Sequence, residues 1–177
     1  MRTLILEPSS AGIADVLERR RAAGLDRLDE VWEGVLHMVP APSLGHADIA
    51  QQLAEILGAP ARRAGLLPTM HEFNLGESEQ DYRVPDGGLH RGRSGGTWNA
   101  TAALVVEIVS RGDESWDKLP FYAAHRVDEV LIVEPSERTV HWLELADDAY
   151  RAIDRSGLID LAVDELVALI DWPADAG

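Results

Sequence analysis

Apolar residues recur along this chain at two spacings, and each change of spacing marks an element. Ile49, Leu53, Ile56 and Leu57 return every three or four positions, which predicts a helix from about His46 to Leu57 that Gly58 and Pro60 end or kink. A shorter helix is predicted over Ile13–Ala22, with Ser9 and Ser10 as caps and Gly24 as its stop. Glu30–Val39 reads as two short strands around a Glu33-Gly34 turn. Pro68–Leu75 and Tyr82–Leu89 read as strands, and Gly92, Gly95 and Gly96 fall in a turn. Thr101–Ser110 is a nearly unbroken Val-rich apolar run, the mark of a central strand covered on both faces. Asp113–His125 then reads as a helix, Val130–Val133 as a buried strand, Glu134–Arg138 as a turn, Thr139–Leu145 as a strand and Val163–Ile170 as a last helix. Strand, helix, strand in that order predicts a parallel crossover beside an antiparallel N-terminal sheet, hence a mixed α/β fold.

With 177 residues, no internal repeat and no long linker, residues 1–177 are expected to form one domain. Composition narrows the chemistry. There is no cysteine, so disulfides and thiolate metal sites are excluded, and a cytoplasmic location is expected. No apolar run approaches the ~20 residues that span a bilayer. Any metal must be held by oxygen or imidazole, which favours Mg²⁺ or Mn²⁺ over Zn²⁺. The balance of 16 basic against 31 acidic residues, a formal charge of −15, argues against a protein that coats nucleic acid.

One glutamate, Glu107, interrupts the Val-rich run near its end. A carboxylate there needs a partner or a metal, because burying it alone costs several kcal/mol by order of magnitude. Asp86, after Pro85, opens an earlier strand, and two adjacent strands could bring Asp86 and Glu107 to one hard divalent cation. The Ile108 carbonyl is a further candidate oxygen ligand. Lys118 follows on the next helix, placed to turn its ammonium toward a phosphate. Such a trio suits phosphodiester hydrolysis: two metal-holding carboxylates and a cation that orients water or stabilises transition-state charge.

The run PDGGLHRG, followed by TAALVVEIVSRGDESWDKLPFYAAHRVDEVLIVEPSERTVHWLEL, resembles a bacterial family of restriction-endonuclease-like proteins first catalogued as a domain of unknown function. That family is placed in the PD-(D/E)xK nuclease superfamily, whose core is a mixed sheet flanked by helices. The upstream EVWEGVLHMVPAPSLGH resembles the family's hairpin and its His46-led helix. The resemblance implies a Mg²⁺- or Mn²⁺-dependent endonuclease acting on nucleic acid, DNA before RNA. Asp86 and Glu107 match its acidic ligands, and Lys118 matches its helix lysine, with Tyr122 four residues on. The superfamily's usual lysine is replaced by Val109, a common proline by Arg111, and the acid closing a VDP motif by Glu134.

Other features read more plainly. His46 reads as a cap or packing residue, and Glu30 and Glu33 as solvated edge residues, although each is a candidate for the site. His71-Glu72 lacks a second histidine at ligand spacing. GRSGG is a flexible turn without the Gly-Lys-Ser/Thr of a phosphate loop. Trp116, Phe121 and Tyr122 are expected to pack the helix, and Asp113-Glu114 and Asp147-Asp148 to be solvated. A homodimer is expected. The competing reading is a non-catalytic interaction protein that retains the nuclease fold, which the −15 charge favours.

Overall fold

A computed structural model describes residues 3–5, 11–110, 112 and 114–173, with side chains from residue 12 onward. Among the described residues, two six-stranded sheets carry the fold. The first runs β1 (Thr3–Ile5), β3 (Val35–Met38), β2 (Glu30–Trp32), β6 (Asp81–Arg83), β5 (Asn74–Ser78), β8 (Trp98–Asn99) in spatial order. The second runs β12 (Ala149–Ile153), β11 (Thr139–Ala146), β10 (Glu129–Glu134), β9 (Leu104–Ile108), β7 (Gly87–His90), β4 (Leu67–Thr69). Helix α1 (Ala11–Ala22) precedes β2, and α2 (Leu44–Arg63) precedes β4. A 3₁₀ turn (Ser115–Lys118) leads into α3 (Leu119–Ala124), and α4 (Val163–Leu169) closes the order.

The predicted crossover is present, with β9 and β10 pairing parallel through α3. All of β9 is buried, as its apolar run requires, and its side chains divide between the two faces by alternation. Leu104, Val106 and Ile108 join Ile49, Leu53 and Leu57 of α2 in one core cluster. Val105 faces a second cluster with Leu75, Phe121 and Tyr122. Glu107 shares Val105's side, so it points toward α3 and the first sheet.

Several expected boundaries move. Helix α2 runs through Gly58 and Pro60 to Arg63, because Leu57 and Ala61, both fully buried, keep its last turns on the core. The strand expected over 68–75 is two strands in different sheets, and so is the one over 82–89. The helix expected over 113–125 begins as a 3₁₀ turn at Ser115 and ends at Ala124. The Glu33-Gly34 turn holds, with φ of 49° and 84°, the left-handed pair that a two-residue hairpin demands. Gly24 has φ of 64° just past α1, as expected of its stop. Ser9, Ser10, Arg111 and Asp113 lie outside the described residues.

Candidate active site

Asp86 sits where the chain leaves the first sheet and enters the second, between β6 and β7. The two glycines after it allow that passage. A Cβ on Gly87 would stand 2.9 Å from Met70 Sδ, and one on Gly88 only 2.7 Å from the Leu104 carbonyl. Without side chains, β7 lies tightly between β4 and β9, with Gly87 opposite Val106. Asp86 is thereby brought to the end of β9. Its Oδ2 accepts from the Ile108 amide at 2.7 Å, and its Oδ1 lies 2.9 Å from His46 Nε2. The sequence offered Ile108 as a carbonyl ligand; in the fold its amide anchors Asp86.

Glu107 lies across from this corner, 2% exposed. Lys118 Nζ donates to its Oε1 at 3.2 Å and its Oε2 at 3.1 Å, Tyr122 Oη donates to Oε1, and Ser115 Oγ donates to Oε2 at 3.4 Å. Burial pushes the Glu107 carboxyl up to about 8; Lys118 opposes this, while the charges of Asp86 and Glu30 reinforce it. Burial works against the Lys118 ammonium too, but Glu107 and Glu30 overcome it and hold the lysine's pKa above its usual range. Tyr122 is pushed up by burial and by Glu107, so it stays a donor. Lys118 is therefore a fixed buried cation, not the solvated helix residue that a lone lysine usually is.

Glu30 corrects the sequence reading. It is 3% exposed, not a solvated edge residue, and its Oε1 lies 2.9 Å from Lys118 Nζ. It also accepts from the Val84 amide at 2.8 Å and from Trp32 Nε1 at 2.7 Å. Glu33 stays exposed in its turn. Glu114 is another correction: its Oε2 lies 2.9 Å from His37 Nδ1, and the pair is largely buried. Asp147 and Asp148 are exposed, as expected. Phe121 and Tyr122 are buried, whereas Trp116 is 42% exposed and donates to Glu134. His46 does more than cap: Ser43 caps α2, and the imidazole bridges Asp86 and Ser110. His37 and Glu30 stand opposite each other in the β2–β3 register, a pairing that the hairpin pattern could have revealed.

The fold thus brings Asp86, Glu107 and Lys118 together and adds Glu30, His46 and Tyr122. Among the described residues, no three His, Asp or Glu side chains form a ready metal cage. Two carboxylates with a carboxylate–lysine pair behind them still suit Mg²⁺, which is commonly held by one or two carboxylates, with water and substrate phosphate completing its shell. No helix among the described residues is long and apolar enough to cross a membrane.

No curated protein matches the chain significantly. Its fold is similar to a crystal structure from Anabaena variabilis titled as "a putative nuclease belonging to DUF820". The TM-score is 0.62 at 14% identity, over 80% of this chain and 90% of that one. Residues 22–169 match the model of the Uma2 family, described as "Putative restriction endonuclease", and the chain belongs to that family.

Proposed function

We propose that this chain is a metal-dependent nuclease that hydrolyses nucleic-acid phosphodiester bonds. The observation that carries the reading is the convergence of Asp86, Glu107 and Lys118 from three separate elements, with Lys118 held between Glu107 and Glu30. Asp86 and Glu107 are the residues that would hold Mg²⁺ or Mn²⁺, both being hard oxygen donors. When bound, the cation polarises a phosphoryl oxygen and makes water a stronger acid. Lys118 supplies a preorganised positive charge to oxygens that become more negative in the transition state. Glu30 fixes that ammonium from behind, and His46 and the Ile108 amide fix the Asp86 carboxylate.

The family membership supports the nuclease class, and the donor set supports the metal. The competing reading, an interaction protein that keeps the fold, is favoured by the −15 charge and by the three donors already on Glu107. Single-turnover cleavage of single- and double-stranded DNA and RNA, in low salt with Mn²⁺, separates the two. Wild type should cut, and Asp86→Ala and Lys118→Met should be slower by on the order of 10²–10³. Should wild type cut no substrate, and Mn²⁺ bind Asp86→Ala as tightly as wild type in calorimetry, the interaction reading stands instead.

A further inference from the structure

The far end of β7 carries a feature that the nuclease reading leaves unused. Acidic residues make up 31 of 177, about one in six, yet none occurs between Asp86 and Glu107 or between Glu55 and Glu72. These are the two longest acid-free stretches of the chain. The first holds Arg91 and Arg93, and the second holds Arg62 and Arg63. The fold places them side by side, since β4 pairs with β7 and Leu67 stands opposite His90. Four arginines in a chain of charge −15 therefore gather at one end of the second sheet.

A cleft of about 280 Å³ opens there, between His90–Ser94 and Trp98–Ala103. No acidic residue lines it. Arg93 makes no salt bridge among the described residues. Arg91 pairs with Asp128 at 2.5 Å, but both side chains are well exposed (60% and 42%), so the pair is weak and exchangeable. Trp98, half-buried, lines the cleft and makes a T-shaped contact with Tyr82. A Cβ on Gly92 or Gly95 would meet nothing within 4 Å, so the turn joining the two walls stands clear of the body. Arginines that follow a backbone and an aromatic ring that takes a base are the two elements of sequence-tolerant single-strand binding. The cleft has room for roughly one nucleotide, which suits an unpaired base better than a duplex groove.

We propose that this cleft, together with Arg62 and Arg63 on the last turn of α2 just before β4, binds single-stranded nucleic acid through its phosphates and one base on Trp98. From Asp86 to His90 is four residues of extended chain, roughly 14 Å. A stacked strand covers that distance in about four nucleotides. A strand held in the cleft is thus within a few nucleotides of Asp86; this consequence rests on the nuclease reading, whereas binding itself does not.

The test is fluorescence anisotropy of a labelled twelve-nucleotide oligothymidylate in EDTA, across a salt series. Because EDTA prevents cleavage, binding is read whatever the cleavage experiment finds. With four arginines on phosphates, the log–log salt slope for wild type should be about −2.8. Arg91→Gln/Arg93→Gln should bring it to about −1.4 and weaken binding roughly 50-fold in about 50 mM salt, and Arg62→Gln/Arg63→Gln should lower the slope likewise. Arg151→Gln/Arg155→Gln changes the net charge equally on exposed residues outside the cleft, and should bind as wild type does. The proposal is overturned if wild type fails to bind, if the cleft variants bind like wild type, if the control weakens as much as they do, or if a duplex of equal length binds more tightly.

Discussion

Replacing Glu107 with glutamine should change how stability depends on pH more than how large it is. In the folded chain the Glu107 carboxyl keeps its proton up to about 8, against an ordinary 4.5, with burial as the main cause. Between those values the folded state holds a proton that the unfolded state has released. Stability therefore falls as pH rises from about 4.5 to about 8, the opposite of a salt-bridged carboxylate with a lowered pKa. At about 1.36 kcal/mol per pH decade, the full window comes to roughly 5 kcal/mol. Glutamine is neutral throughout and preserves the carbonyl that accepts from Tyr122 and Lys118, so Glu107→Gln should lose this part of the decline. Urea denaturation of both proteins at intervals from pH 5 to 8.5 gives the two curves. Their difference should move steadily in the variant's favour as pH rises, leaving it at least as stable as wild type at pH 8.5. Parallel curves would mean that Glu107 is ionised throughout as an ordinary partner of Lys118, and the argument from burial would fail.

Lys118→Met should cost about 3–5 kcal/mol in the same denaturation assay near pH 8, since it strands the buried Glu30 carboxylate without its cation; a loss under ~1 kcal/mol would show a lysine paired only at a solvated surface. Glu129, far from this site, accepts from Trp142 Nε1, Ser156 Oγ and the amides of Gly157 and Leu158. Glu129→Ala leaves these donors without their acceptor, at about 1–3 kcal/mol for each that stays buried. Hydrogen exchange at Gly157 and Leu158 should rise in that variant, and unchanged protection there would show that the segment is held by other means.

How far the site was legible depended on how local its causes are. Glu107 stood out because a lone charge in a Val-rich strand must be accounted for, and its apolar neighbours fix both the strand and its central place. Asp86 was marked by the Pro before it and the glycines after it. Their use, letting β7 lie against β4 and β9, is a matter of contact between strands that spacing does not record. Glu30 escaped because β2 is three residues long and its polar setting suits an exposed edge equally well. Its partners Val84 and Lys118 arrive from other parts of the chain. The segments over 68–75 and 82–89 show the same limit. Each has strand-forming residues throughout, but nothing in them says that half pairs in one sheet and half in the other.

The Glu30–Lys118 contact also has a consequence for the order of assembly. Glu30 belongs to the second strand, and its cation comes only after the ninth. On the ribosome, Glu30 emerges first and waits as a solvated carboxylate while about ninety residues are made. The second sheet takes five of its six strands from residues 87–153, a stretch that also holds β8 of the first sheet, and its β10–β11 and β11–β12 pairings close short loops. The ammonium bridge instead closes a long loop, and long loops are entropically slower to close. The cluster around Glu107 and Lys118 should therefore be among the last parts of the molecule to form.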